Sequence, residues 1–195
     1  AEQLGKPLKE LNFAMAHLGG GITMCAMQGG VMVDMYSDEC GAFTPERTGI
    51  LPPVQVLDYC FNSGKTHAEI YKMLRGQGGM YAYLGTADGI EVENRLKAGD
   101  PDATLVIKAM ALQIAKELGE MAVTLCGKVD AIVITGGFAR FGQLIEWVRE
   151  HTAFIAPIIL FPGEYEMEHM AYGVLRAISG EEPIKEYVDE DYYKE

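Results

Sequence analysis

The chain has 195 residues, of which 49% are hydrophobic and 23% charged, so it can bury a sizeable core as one domain or one and a half. The formal net charge of -12 argues against nucleic acid as a partner, because binding it requires a basic surface. No apolar run is long enough to span a membrane, and the opening residues lack the hydrophobic region of a signal peptide. We therefore expect a cytoplasmic protein with no membrane partner. The four cysteines are widely spaced without a CxxC pair, which favours reduced, structural thiols.

The N-terminal part of the chain predicts three antiparallel strands. Residues 1–11 are typical of a short helix or connection, and the strands follow at 12–16, 22–28 and 31–35. The second and third strands are joined by Gly29-Gly30, a strong hairpin dipeptide. This part therefore predicts a small antiparallel sheet.

The middle of the chain predicts an irregular loop and then a series of helices. The loop runs from residue 36 to 53, and its Phe, Pro and Ile residues favour an ordered, functional loop. Thr66 and Glu69 have the spacing of a capping box at a helix start. The longest helix is apolar on more than one face, which indicates a place at the centre of the core. The predicted segments are helices at 54–61, 66–74, 88–97 and about 102–126, with a short apolar segment at 80–84.

The last third predicts strand, helix, strand and helix, at 130–135, near 141–151, at 155–161 and at 164–178. Both strands have the continuous apolar composition of strands buried on both faces. Residues 181–195 carry a net charge of -5, which is typical of a solvated tail. The predicted fold class is α/β, with a mixed sheet in which a hairpin sheet continues into parallel strands.

Three successive glycines follow the first predicted strand. Gly19, Gly20 and Gly21 come after His17 and can bring backbone N–H groups close to a ligand, as a phosphate-binding turn requires. The alternative is a tight turn without a ligand, in which His17 is a hydrogen-bonded structural histidine.

Glycines also follow both later strands. Gly136 and Gly137 come after the first of them, and Pro162-Gly163 comes after the second. Ligands of open α/β sheets bind outside the carboxyl ends of such strands, so these turns are candidates for a nucleotide site. The alternative is that they are only tight turns between strand and helix.

The common nucleotide-binding motifs are absent. Gly64-Lys65-Thr66 ends like a Walker sequence, but Tyr59 stands at the position of its first glycine. A dinucleotide-binding pattern starting at Gly19 and Gly21 would need a third glycine at Met24. Phosphate binding must therefore use a different arrangement of backbone groups.

Four blocks of sequence, in order along the chain, closely resemble the butyrate kinases. That family is grouped with the acetate kinases in the actin-like (ribonuclease H-like) ATPase superfamily, whose members close two similar domains around ATP. The resemblance implies that residues 1–195 form the C-terminal nucleotide-binding domain of an acyl kinase, with the N-terminal domain of the family absent. The blocks are His17 to Ile22, Phe43 to Gly49, Ile134 to Gly137, and Phe161 to Met167.

The resemblance implies ATP-dependent phosphorylation of a short-chain fatty acid to an acyl phosphate. The His17 to Gly21 turn resembles the second phosphate loop of the superfamily, and Gly136-Gly137 resembles its adenosine motif. Arg47 matches the arginine that stabilises the phosphoryl group during transfer, for which a guanidinium is chemically suited. Its alternative is a solvated loop residue.

The resemblance also implies Mg²⁺ as a cofactor. Glu164 or Glu166 would help to hold it, and the residues do not decide between the two. The alternative is that these glutamates, with Glu168, only stabilise the first turn of a helix.

The expected assembly is a homo-oligomer or a pairing with an N-terminal half. Two other functions remain open. One is a non-catalytic half-protein that binds nucleotide or a partner chain. The other, which is weaker, is an actin-like kinase acting on a hydroxyl group.

Overall fold

A computed structural model describes residues 1–37, 40–163 and 165–184. The chain divides into two compact units, Ala1–Gly163 and Glu164–Glu195. Most of the predicted tail lies outside the described residues. Among the described residues, no helix has both the length and the apolar character needed to cross a membrane.

The first unit contains a five-stranded mixed sheet with the order β3-β2-β1-β4-β5. The pairs β1–β2 and β2–β3 are antiparallel, whereas β1–β4 and β4–β5 are parallel. This arrangement confirms the predicted hairpin sheet that continues into parallel strands. The strands are β1 (Asn12–Leu18), β2 (Ile22–Gln28), β3 (Val31–Tyr36), β4 (Ala131–Gly136) and β5 (Ile158–Pro162).

The described residues contain seven α-helices, and short 3₁₀ turns lie at Glu2–Leu4, Leu8–Glu10 and Gly137–Arg140. Helix α2 begins with the predicted capping box, in which the Thr66 and Glu69 side chains each bind the backbone of the other residue. The helices are α1 (Pro53–Asn62), α2 (His67–Leu74), α3 (Gly79–Leu84), α4 (Gly89–Lys97), α5 (Pro101–Thr124), α6 (Gly142–Thr152) and α7 (Glu166–Ile178), the last in the second unit.

Helix α5 is the centre of the core, as its apolar composition predicted. The Asp100 side chain accepts hydrogen bonds from the backbone N–H groups of Asp102 and Ala103, and Pro101 occupies the first turn. The helix packs against β1, β2 and β3 of the sheet and against α3, α4 and α6. The fully buried residues of α5 include Ile107, Met110, Ile114 and Leu118. A smaller apolar cluster that includes Leu11, Phe13 and Val133 is separate from this core.

The structure corrects two of the predicted elements and assigns the type of a third. Strand β5 begins at Ile158 rather than Ile155, and it is not buried on both faces, because it is an edge strand with Leu160 and Phe161 exposed. The apolar segment at 80–84 is the short helix α3. Helix α5 ends at Thr124, two residues before the predicted end, and Cys126 then adopts a positive φ of 52°.

The four cysteines are all unbridged, as expected for reduced thiols. Their predicted structural role does not hold for three of them, because Cys40, Cys60 and Cys126 are exposed to solvent.

Two leucines of α5 allow a matched test of this core. Leu118 is fully buried, whereas Leu105 is 67% exposed on the same helix. We expect Leu118→Ala to lower the free energy of unfolding by about 2–5 kcal/mol, because it leaves a cavity among α5, the sheet and its neighbours. Leu105→Ala should change it by less than about 0.5 kcal/mol. Denaturant titration of both variants measures the difference, and equal losses would contradict the central place of α5.

Candidate functional site

Three glycine segments meet at one edge of the sheet. In the parallel pairing of β1 and β4, His17 lies opposite Thr135, so the Gly19–Gly21 turn and Gly136 follow side by side. On the other side of β4, the Gly163 N–H donates to the Gly136 carbonyl oxygen at 3.2 Å. The carboxyl ends of β1, β4 and β5 therefore bring together the glycines that the sequence identified as candidates.

Gly136 is in steric contact with the end of β1. Its φ is +92°, and a Cβ at this position would collide with the backbone of Leu18. Glycine is therefore the residue that both the conformation and the packing require here. This close approach keeps the end of β4 directly beside the Gly19–Gly21 turn.

The turn itself is compact and partly open to solvent. The Gly19 N–H donates to the Gly21 carbonyl oxygen at 2.9 Å, and Gly20 is exposed. The His17 imidazole is half-buried and lies over the turn, with Nε2 3.3 Å from the position that a Cβ of Gly19 would occupy. A side chain at Gly19 would therefore press on His17, whereas a Cβ at Gly20 would meet no atom within 4 Å.

The loop that carries Arg47 is fixed from both sides. Helix α5 holds its beginning: the Phe43 N–H donates to Gln113 Oε1 at 2.9 Å, and the Glu117 carboxylate packs on Gly41. At the other side the Thr44 hydroxyl donates to the Gly20 carbonyl oxygen at 2.8 Å. The predicted functional loop therefore contacts the predicted phosphate turn directly.

The Arg47 side chain is half-buried and lines a cavity of about 300 Å³. Burial lowers the pKa of the guanidinium, and the positive charge of Arg75 lowers it further. Arg75 lines the same cavity, and the two residues form an isolated antiparallel bridge. The cavity is therefore lined by two guanidinium-bearing residues.

The sheet-edge glycines do not line this cavity. Its wall instead includes Leu51, Val56 and Tyr71, and a larger apolar cavity of about 640 Å³ also reaches Leu51 and Val56. The structure therefore brings the backbones of the Arg47 loop and the glycine turn together, while the Arg47 side chain lies toward helices α1 and α2.

Glu117 is a charged residue in the core. It is 6% exposed, and Oε2 has no hydrogen-bond partner among the described residues. Burial, reinforced by the negative charge of Glu120, raises its pKa to about 7, against opposing effects of the Ala42 N–H and Lys116. The carboxylate packs on Gly41, where a Cβ would lie only 2.8 Å from Oε2.

Only one of the two candidate metal ligands, Glu166, lies among the described residues. Glu164 lies outside the described residues. Glu166 is in the first turn of α7 together with Glu168, while Arg176 is in the last turn, a distribution that suits the helix dipole. The part of the chain that the structure describes contains no group of three or more His, Cys, Asp or Glu residues placed to hold a metal ion.

Sequence reasoning gave no role to Thr44, Gln113 or Glu117. A signal for Thr44 was present, since a threonine shortly before a turn often binds the backbone N–H groups two and three residues later. Glu117 could have been noticed as a charged residue three positions after Ile114 on the buried side of a helix. Their contacts with the loop join distant parts of the sequence and were not predictable from local patterns.

The fold is that of the acetate and propionate kinases, which have an actin-like ATPase fold. The acetate kinase of Porphyromonas gingivalis matches with a TM-score of 0.79 and 22% identity over 89% of this chain and 51% of that chain. A propionate kinase of Francisella tularensis matches with a TM-score of 0.76 and 23% identity over 86% of this chain and 49% of that chain.

The chain belongs to the Acetokinase family. The family model matches residues 1–154, which include β1, the Arg47 loop and the Gly136-Gly137 turn. A protein described as probable butyrate kinase 2, from Caldanaerobacter subterraneus subsp. tengcongensis, is 47% identical over 180 residues. These residues make up 92% of this chain and 51% of the relative, so the chain spans about half the length of the curated relative.

The packing of Gly136 against Leu18 can be tested with a matched glycine. We expect Gly136→Ala to lower the free energy of unfolding by about 1–3 kcal/mol, because alanine is strained at this φ and its Cβ would collide with the backbone of Leu18. A Cβ at Gly142, in the first turn of α6, would meet no atom within 4 Å, so Gly142→Ala should be neutral or stabilising. Thermal unfolding of both variants decides the point, and a neutral Gly136→Ala would contradict this packing.

The raised pKa of Glu117 predicts a pH-dependent stability. Its ordinary pKa of 4.5 applies to the unfolded chain, and its folded value is about 7, so the folded protein binds the extra proton between these values. The contribution of this residue to stability should therefore fall as the pH rises from about 5 to about 8. Glu117→Gln should remove this part of the slope, measured by denaturant titration at several pH values. An unchanged slope would contradict the assignment.

Proposed function

We propose that the intact protein carrying this chain transfers the γ-phosphoryl group of ATP to the carboxylate of a short-chain fatty acid, butyrate or a branched acid. The products are an acyl phosphate and ADP. The observation that carries the proposal is the 47% identity, over 92% of the chain, to a protein described as a probable butyrate kinase. Membership of the Acetokinase family supports the same reaction class.

The geometry of the sheet edge supports nucleotide binding by this chain. The Gly19–Gly21 turn exposes Gly20 to solvent and lies directly beside Gly136. Backbone N–H groups in such a turn suit the phosphates of ATP, and the Gly136-Gly137 and Gly163 segments suit the remainder of the nucleotide. The His17 imidazole would pack against this turn at Gly19 and help to fix its conformation.

The proposed reaction requires no general base. A carboxylate is already a nucleophile at neutral pH, so the protein has to position the reactants and stabilise charge. The Arg47 guanidinium would act on the equatorial oxygens of the phosphoryl group during transfer. The lowered pKa of Arg47 does not remove its charge, because the arginine pKa starts far above neutrality.

The divalent metal that this reaction class uses would be Mg²⁺, which neutralises charge on the phosphates of a bound nucleotide. The described residues do not by themselves form a group of three or more metal-ligating side chains. Either Glu164 or Glu166 is the proposed protein ligand.

The proposed location is the cytoplasm, where ATP is available. The proposed assembly is a homo-oligomer or a pairing with an N-terminal half. Helix α1 supports an assembly, since none of its residues is buried and it exposes Val54, Leu57 and Phe61.

Arg47→Ala tests the role of this arginine. In the intact protein we expect kcat to fall by about 10³-fold or more, because the transition-state charge loses its partner, while ATP still binds. Arg47→Lys should restore only a small part, since lysine lacks the planar fork. Trapping of the acyl phosphate with hydroxylamine measures turnover, and calorimetry measures ATP binding.

Arg149→Ala is the matched control. Arg149 lies on α6, where it pairs with Glu146 at the surface at 3.4 Å, so its loss should leave kcat unchanged. Normal turnover of Arg47→Ala would refute the assignment of Arg47.

The alternative proposal is a non-catalytic half-protein that binds nucleotide or a partner chain. This alternative is supported by the coverage, since the chain matches only 51% of the length of the curated relative. The intact mass of the native protein separates the two: about twice 21.4 kDa supports the acyl kinase, and 21.4 kDa supports the half-protein.

A further inference from the structure

Thr44 is one of three buried polar or charged residues among the described residues, the others being Glu117 and Thr152. Its hydroxyl donates to the Gly20 carbonyl oxygen at 2.8 Å and accepts from the Arg47 N–H at 3.0 Å. It also lies 3.3 Å from the Glu46 N–H, which donates to it. One oxygen atom therefore joins the glycine turn to the turn that carries Arg47.

The backbone of Thr44 is fixed as firmly as its side chain. Its N–H donates to the Arg47 carbonyl oxygen at 2.9 Å, which closes the turn, and its own carbonyl oxygen accepts from the Met80 N–H at 2.9 Å. Gly79, with a φ of +55°, packs so closely on the Thr44 carbonyl that a Cβ has no room. The start of α3 thus prevents the threonine from moving away from Gly20.

The hydroxyl cannot be replaced by water in this position. Thr44 is 0% exposed, so the Gly20 carbonyl oxygen and the Glu46 and Arg47 N–H groups would all lose this partner if the hydroxyl were removed. Without the hydroxyl, no single side-chain atom would join the Gly20 carbonyl oxygen to the Arg47 N–H. The spacing between the two turns would then no longer be fixed.

We propose that Thr44 is a positioning residue that sets the Arg47 turn at a fixed distance from the Gly19–Gly21 turn. The inference rests on the proposed function, in which the first turn holds the phosphates and Arg47 acts on the phosphoryl group in transfer. Because displacements of about 1 Å can cost about 10²-fold in rate, the effect should fall on kcat more than on the KM for ATP.

The test is Thr44→Val in the intact protein, since valine keeps the shape and removes the hydroxyl. We expect kcat to fall by about 10- to 100-fold with the KM for ATP changed by less than about threefold. Thr44→Ser keeps the hydroxyl and should retain most of the activity. Thr44→Ala is a second hydroxyl-free variant if the valine variant does not fold.

Thr152→Val is the matched control for loss of a buried threonine hydroxyl. Thr152 is also fully buried, but its hydroxyl only donates to the Val148 carbonyl oxygen within α6, at 2.9 Å. It should leave kcat unchanged. Equal effects of the two threonine variants on kcat would mean a structural role for Thr44 and would overturn the proposal.

A double-mutant comparison shows whether Thr44 acts through Arg47. In an Arg47→Ala background, Thr44→Val should have little further effect on kcat, because the group that it positions is gone. The same fold-loss in both backgrounds would overturn the proposal, as would a Thr44→Val variant with normal turnover.

Hydrogen exchange keeps the proposal separate from the proposed function. If the unmodified protein phosphorylates no short-chain acid, the proposed function fails, but the positioning role still predicts faster exchange in both turns. Thr44→Val should accelerate exchange in the segments containing Gly19–Gly21 and Arg47 together, and Thr152→Val should not. Unchanged exchange in either segment would overturn the positioning role.

Discussion

The parallel pairing of β1 with β4 is the constraint on which the site depends. Parallel strands end at the same edge of a sheet, so the register that places His17 opposite Thr135 also places the Gly19–Gly21 turn beside Gly136. A slip of one residue would reverse the faces of β1 and bury the wrong side chains. Ala14, Ala16 and Leu18 all lie in the main core, and their burial therefore fixes the register and, with it, the site.

Helix α5 connects this sheet to the Arg47 loop. It covers the sheet with a nearly continuous apolar surface, and two of its residues contact the beginning of the loop. Gln113 accepts a hydrogen bond from the Phe43 N–H, and the Glu117 carboxylate packs on Gly41. The two helix residues lie four positions apart and hence on the same face of the helix. Packing of the core and position of the loop are thus coupled through one helix.

Local patterns predicted the elements well where local chemistry determines them. Thr66 with Glu69 and Asp100 with Pro101 act within a single turn, so their caps were readable from the sequence. The exposure of Leu160 and Phe161 was not readable, because an apolar run does not reveal whether its strand lies at the edge of a sheet. The same limit applies to the candidate site. The glycines were identified from residue type, and the structure shows positive φ at Gly136 and Gly163 but not at Gly19–Gly21. The hydrogen bond from Thr44 to Gly20 spans 24 residues and does not follow from local sequence.

The backbone and the side chain of Arg47 are constrained to different degrees. Its backbone is held by the Thr44 hydroxyl and by the bridge to Arg75. Its guanidinium lies instead in a cavity of about 300 Å³, half-buried beside a second positive charge. A change of side-chain rotamer is fast compared with loop motion, so a fixed backbone limits the guanidinium to the arc that its own torsion angles allow. Burial and the positive charge of Arg75 both lower the pKa of the guanidinium in this position, while the hydrogen bonds of Thr44 hold the backbone of Arg47 beside the glycine turn.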